Sequence, residues 1–507
     1  MDKKNKKALC FINGEIYVSF DPVKKVNAIV LINGMVKYAG NNKKAIEMAK
    51  SNNYEIIDLK KQTVIPGFID SHMHLDGLID FFESIDLSNA KSVKQILKIL
   101  NKYKKSKKNG WIIGHGFDQE KFRNKKWPTC KDLDKVSCQI PIFISRICMH
   151  AGVMNTKAKQ LLSLNTENKN TDGIVKEKSF FDAYNKIKQL NTSNKVDIQV
   201  ISIMNYIVSL GITSIGYMNC SKDMYKILTN LSNKKKIHVR IYVYQNPDDR
   251  LIGKPSSKIK INGIKLFVDG SLGANTALLY NEYKDKNTKG ILSITDNEIQ
   301  HIANRNKGLQ MACHAIGDKA LDVVLSAYSS LNGLHRIEHA SLIKREQIKK
   351  IKKTDSIIVS QPFFIMSDYW LVDKIGVERI KNAYIYKTIL KNSIPLAFSS
   401  DAPIGNLNPI EGIYASITRG KIENYELYKH TKKESLTKKE ALKCYTEYGS
   451  IALKDPHIGK LEVGYHGDFI ILNKDPLKCI NKDIRSIKVL KTYIGGKCVY
   501  NYFASNM

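Results

Sequence analysis

The chain has 507 residues, with 81 Lys+Arg against 48 Asp+Glu, a formal net charge of +33 and 43% hydrophobic residues. That composition supports a large core and excludes a disordered or fibrous protein, and no apolar run approaches the ~18 residues that cross a bilayer. At ~150 residues per domain the length predicts about three domains, although an α/β barrel uses roughly 250 as one unit.

The first seven residues, MDKKNKK, are basic, but the apolar stretch behind them stops at Asn13–Gly14, so no secretory signal is expected. CFINGEIYV and AIVLINGMVKYAG each set Asn-Gly between alternating apolar runs, the pattern of a two-residue type I′ hairpin. At the far end HGDFIILNKDP reads as a buried strand, and VLKTYIGGKCVY as a hairpin around Gly495–Gly496. Two β-rich ends predict one small β-sandwich built from residues 1–62 and 454–507. Everything between becomes an insertion into it.

From 63 to 453, short apolar runs alternate with helical stretches such as VDIQVISIMNYIVSLG, DKALDVVLSAYSSL and LTKKEALKCYTEYGSIAL. The strand-like runs are TVIPGFID, PIFIS, GITSIGYM, HVRIYVY, IKLFVDG, LQMACH, HRIEHA, SIIVSQ and IPLAFSSD. This alternation predicts an α/β fold with a parallel sheet, a (β/α)8 TIM barrel being the leading architecture. Residues from about 80 to 177 are too many for a loop and are expected to form an inserted subdomain over the barrel mouth.

Only ten of the 81 cationic residues are arginine, the residue favoured for bidentate phosphate and base contacts. The lysines are dispersed and fit a solvated surface, so no dedicated nucleic-acid partner is expected. Nine scattered cysteines without a C-x-x-C pair read as reduced thiols of a cytoplasmic protein.

The chemistry collects where the apolar runs end. VIPGFIDSHMHL closes on His72 and His74, two residues apart, so both imidazoles leave the same face of a strand. LQMACH closes on His314, HRIEHA on His339, and PLAFSSDAP on Asp401. An isolated H-x-H means little, but four histidines and an aspartate at separate strand ends suit a metal centre at the C-terminal rim of a barrel. Lys265 lies inside the apolar run IKLFVDG, where an unpaired ammonium is costly. It either snorkels out, is paired with Asp269, or is a desolvated amine of lowered pKa, able to take up carbon dioxide as a carbamate.

These strings, together with IPIFISRICMHAGVMNTKA, IKLFVDGSLGANTA, HAIGDKA and FSSDAPIGNLNPIEGIYASITR, resemble the amidohydrolase superfamily. The likeness is strongest to its amidohydrolase-3 (YtcJ-like) branch of metal-dependent hydrolases and runs from about 28 to 500. One segment, GHGFDQEKF, departs from the branch, which often has Trp before that Asp, and leaves the pocket wall at Phe117 and Asp118 open.

The resemblance implies that His72, His74 and Asp401 hold the more buried of two divalent ions and His314 and His339 the other, with carbamylated Lys265 bridging. Zinc suits these ligands, as do Mn, Fe and Co. It further implies that His150, Asp269 and Asp318 contact a small-molecule substrate, Asp318 serving equally well as a helix N-cap. The implied reaction is hydrolysis of a non-peptide C–N bond, such as an N-substituted formamide or N-acyl amide. A metal-activated hydroxide would attack, with Asp401 as proton shuttle. A deaminase would need Glu three residues after His314, where Gly317 stands; an esterase or lactonase shares the same centre. A homo-oligomer is compatible with all of this.

Overall fold

The computed structural model describes residues 8–104, 110–163, 172–190, 196–249, 251 and 256–505; the basic tip lies outside them. Eight strands form one sheet in which every neighbouring pair is parallel. In chain order they are Phe68–Met73, Ile212–Cys220, Arg240–Gln245, Ile259–Phe267, Gln310–Ala315, Arg336–His339, Ile357–Ser360 and Leu396–Phe398. The eighth is brought back to the first just beyond its end. The Asp401 amide donates to the His72 carbonyl at 2.8 Å, the His74 amide donates to the Ala402 carbonyl at 2.8 Å, and Asp70 accepts from Ser400 N and Oγ at 3.0 and 2.5 Å. The result is the expected TIM barrel, with helices such as Val196–Ser209 and Asp318–Tyr328 on its outside.

Both chain ends contribute to a pair of mixed sheets. A four-stranded sheet comes from the N-terminal segment alone: Met35–Gly40, Ala28–Ile32, Ala8–Ile12 and Glu55–Asp58. A six-stranded sheet runs Lys497–Asn501, Val489–Ile494, Phe469–Leu472, Thr63–Pro66, Glu15–Phe20 and Val23–Val26. Phe11 of the first meets Phe469 and Tyr493 of the second edge-on, at 5.1 and 5.3 Å. The other face of the larger sheet, through Ile470, Leu472 and Ile494, joins the core of the barrel.

Two expected elements come out differently. TVIPGFID is not one strand: Thr63–Pro66 belongs to the six-stranded sheet and Phe68–Met73 to the barrel. The chain changes sheets at Gly67, where any Cβ would lie 2.3 Å from Thr213 Cγ2. Asn13–Gly14 is not a hairpin either, because the strands it joins lie in different sheets. Asn13 has the required positive φ, but Gly14 lacks it and is small because Leu59 packs against it. Asn33–Gly34 is the hairpin expected, with φ of 51° and 78°.

The inserted segment carries its own five-stranded sheet, in the order Ile174–Lys176, Ala151–Met154, Ile142–Arg146, Ile112–Phe117 and Ile85–Asp86. PIFIS therefore belongs here and not to the barrel. Buried Leu87, Ile112, Leu133 and Ile142 fill one face; Trp111, Phe143 and Phe180 fill the other. Contacts to the barrel include polar ones, Thr276 Oγ1 donating to Glu177 at 2.5 Å and Lys374 lying 3.5 Å from Glu120, and the Phe181 ring meets Phe267 at 6.3 Å.

Beneath the barrel, buried Arg240 at the start of the third strand grips Asp468, through Nε at 2.5 Å and Nη2 at 3.1 Å. Asp455 accepts from Tyr242 Oη and Lys260 Nζ, both at 2.7 Å. Burial raises the Asp455 carboxyl, and the bonds from Lys260 and Tyr242 outweigh it, holding the group at about 2. A depressed carboxylate contributes stability that is complete above its unfolded value near 4 and is lost as pH falls towards 2. In chemical denaturation, Asp455→Asn should be less stable than wild type by roughly 2 kcal/mol at pH 7, with the gap closing between pH 4 and 2. A gap unchanged across that range contradicts the assignment.

Candidate metal centre and substrate cleft

Strand alternation directs His72 and His74 to the barrel axis and buries Met73 in the outer core. Lys265 points inward near the end of the fourth strand, His314 from the fifth, and His339 is the last residue of the sixth. Asp401 follows the eighth strand. His339 and Asp401 have φ of 72° and 56°, a region that costs a non-glycine residue ~1 kcal/mol or more. These turns aim both side chains at the axis instead of along the rim.

The side chains converge. Asp401 Oδ1 stands 3.2 Å from His72 Nε2 and 3.3 Å from His74 Nε2, and one ligand atom from each of the three residues falls within 4.8 Å of the others. Lys265 Nζ is 3.4 Å from His72 Nε2. The His339 ring lies 5.1 Å from that of His72 and 4.3 Å from that of His314. Lys265, His314 and His339 are each no more than 3% exposed.

Hydrogen bonds outside this cluster fix which nitrogen of each ring faces in. His72 Nδ1 lies 2.6 Å from Glu338 Oε2, His339 Nδ1 2.8 Å from Gln361 Oε1, and His314 Nε2 3.0 Å from the Gly270 carbonyl. Each partner is an acceptor, so each of these nitrogens carries the proton. The lone pairs left over, on His72 Nε2, His339 Nε2 and His314 Nδ1, are those a cation needs. Among the described residues His339 Nε2 and Asp401 Oδ1 are buried without a hydrogen-bond partner. Such acceptors, lacking donors, fit divalent metal ions.

The electrostatics agree. Burial, with the neighbouring His339 and Lys265 charges, pushes His314 well below the usual histidine range, and burial does the same to His339. Both are neutral at pH 7, as ligands must be. Burial raises Asp401, but His72 and His74 overcome it and hold the carboxyl well below its usual range. Burial lowers Lys265 to about 8.

Above the cluster is a narrow cleft of about 60 Å³, lined by Asp401, His314 and His339 below and by Arg146, Cys148 and His150 of the inserted segment above. His150 is where a substrate-facing residue was expected. Its Nδ1 is 2.8 Å from Glu177, which outweighs burial and raises the imidazole. Asp118 also lines the cleft and accepts from Arg146 Nη2 at 3.0 Å.

Asp269 and Asp318 are placed otherwise. Asp269 accepts the backbone N–H groups of Leu278, Ile316 and Gly317 at 2.8–3.0 Å, bracing the loop beside His314, whose Nε2 is 3.4 Å away. Asp318 accepts from Tyr280 N, and Gly317, not Asp318, is the N-cap of its helix. Asp318 Oδ2 also faces Lys344 Nζ at 3.8 Å, and neither Asp269 nor Asp318 is among the residues lining the cleft. Glu338, Gln361 and Arg146 were missed from sequence. The available signal was the alternation Arg336–Glu338 in RIEHA, two charges on one face of an apolar strand.

The chain belongs to the amidohydrolase family, whose model matches residues 55–500. The fold and this cluster make it a metal-dependent member of that family. YtcJ of Bacillus subtilis strain 168 is 29% identical over 520 residues, spanning 96% of this chain and 98% of its own. The N-substituted formamide deformylase of Arthrobacter pascens is 23% identical over 93% of this chain and 94% of its own. A crystal structure of an uncharacterized metal-dependent hydrolase from Pyrococcus horikoshii OT3 superposes with a TM-score of 0.81 at 36% identity, covering 94% of this chain and 99% of that one.

Glu338 is itself gripped by Arg336, Nε at 2.6 Å and Nη2 at 3.0 Å. Glu338→Gln keeps an acceptor for His72 but removes the charge that makes the imidazole a stronger ligand. Zinc affinity measured by chelator competition should fall ~10-fold or more; unchanged affinity refutes the linkage.

Proposed function

We propose that the chain is a hydrolase of non-peptide carbon–nitrogen bonds, acting on an amide-type small molecule such as an N-substituted formamide or an N-acyl amine. The observation that carries this reading is the Asp401 carboxylate, shared between His72 and His74 at the floor of a cleft also lined by His314 and His339. His72, His74 and Asp401 would hold one divalent ion and His314 and His339 a second, with zinc favoured by the donor set and Mn, Fe or Co also suited. Bound there, such ions would polarise a scissile carbonyl and lower the pKa of water.

The protein groups do the rest. Asp401 removes a proton from the attacking water and returns it to the departing nitrogen, which an amide requires because its anion leaves poorly. His150, oriented by Glu177, donates towards the substrate from the opposite wall. Lys265, with an amine near 8, keeps a neutral fraction at pH 7. That amine forms an N–C bond with carbon dioxide and releases a proton, giving a carbamate whose two oxygens could bridge two ions.

Against a deaminase, the position three residues beyond His314 leaves no room for an acid. A Cβ on Gly317 would lie 2.0 Å from the Leu278 carbonyl. The nine free cysteines suit a reducing, cytoplasmic setting.

The test is a panel of N-formyl, N-acyl, cyclic-amide and ester substrates on zinc-reconstituted protein, with Asp401→Asn and Lys265→Ala beside it. Amide turnover is expected, with kcat falling at least ~100-fold in Asp401→Asn and metal lost from Lys265→Ala. Full activity and full metal content in both variants, or turnover confined to esters, overturns the proposal.

A further inference from the structure

A second cavity, of about 680 Å³, lies beside the cleft. Its walls come from both parts of the molecule: Ile113, Met149 and Tyr184 of the inserted segment, Leu78 of the helix after the first barrel strand, and Phe363 and Leu407 of the loops after the seventh and eighth. Three residues, Arg146, Ile147 and Ile404, face both cavities. Ile147 and Ile404 are partly buried and Arg146 is 1% exposed, and these three side chains stand between the two spaces as walls of both. Ile404 N also donates to the Asp401 carbonyl at 2.9 Å, which ties this partition to the catalytic turn.

We propose that this chamber receives a large apolar arm of the substrate, an aliphatic chain or aromatic group, while the bond to be cleaved sits over Asp401. This rests on the hydrolase reading and adds the substrate class to it. The chamber's volume falls within the ~300–1,000 Å³ of pockets that enclose drug-sized ligands. Its lining is mainly apolar, with Ser84, His115, Lys121, Ser145 and Asn406 adding polar groups beside the six walls named. The chamber is the larger of the two spaces, so a substrate confined to the cleft over Asp401 would leave most of the available volume unused. The walls shared at Ile147 and Ile404 set the chamber directly beside the cleft, where an arm attached to the reacting group would lie. An inserted segment that closes the barrel mouth and also walls this chamber accounts for a specificity that the barrel residues alone do not encode.

Two measurements on zinc-reconstituted protein test this. Straight-chain fatty acids from four to ten carbons, which are not hydrolysed, are titrated by calorimetry. The parallel series of N-acyl amides is followed by kcat/KM. Each buried methylene contributes up to ~4-fold, so affinity should rise at least ~100-fold across the acid series. Ile113→Trp fills the chamber, and Ile113→Phe fills it less and strains the fold less. Both should flatten the chain-length dependence and leave the four-carbon ligand unaffected. A flat series in wild type, or a slope that neither variant changes, overturns the proposal. If the acids show the slope but no amide is turned over, the chamber stands and the hydrolase reading falls. Turnover of amides without any chain-length dependence has the opposite meaning.

Discussion

The structure depends on how the eighth barrel strand is brought back to the first. The Asp401 amide bonds to the His72 carbonyl, the His74 amide to the Ala402 carbonyl, and the Asp70 carboxylate takes both donors of Ser400. The backbone groups that close the barrel therefore belong to residues that converge at the candidate metal site. Asp401 needs φ of 56° to turn inward at that junction, and the bonds around it over-determine a conformation that would otherwise be unfavourable. Closure of the barrel and assembly of the centre are one event.

Around that junction the protein buries charged side chains and pairs them with one another. Arg336 holds Glu338, Glu338 holds His72, and the Arg336 guanidinium lies 4.4 Å over the Tyr244 ring. A buried ion pair adds little net stability, because desolvation offsets the attraction. What this one supplies is orientation: it sets the tautomer of His72 and directs its Nε2 lone pair at Asp401. Gln361 and the Gly270 carbonyl do the same for His339 and His314 with neutral acceptors. Three rings from three strands are thus set by three different second partners.

The net charge of +33 has a different meaning once the centre is known. The formal excess sits mainly on dispersed lysines, while Lys265, Arg146, Arg240 and Arg336 are buried at defined tasks. Three of those four are arginines, in a chain with only ten. The planar guanidinium can satisfy a buried carboxylate through two donors at once, as Arg240 does with Asp468.

The sequence by itself determined the barrel, and it singled out the strand-end histidines, Lys265 and Asp401 whose side chains the fold brings together. Those properties are local: hydrophobic period, strand ends and spacing are visible in a window of a dozen residues. It misjudged Asn13–Gly14, because a turn signal does not say whether the strands it joins will pair. It also read TVIPGFID as one strand, because nothing local shows that Thr213 crowds Gly67 and divides the run between two sheets. Tertiary structure alone decided that Asp269 and Asp318 spend their carboxylates on backbone N–H groups. It alone selected Glu338, Gln361 and Gly270 as partners of the three rings, and set Ile113, Phe363 and Leu407 around one chamber. These are contacts between strands and loops far apart in the chain, and their geometry exists only once the eighth strand has met the first.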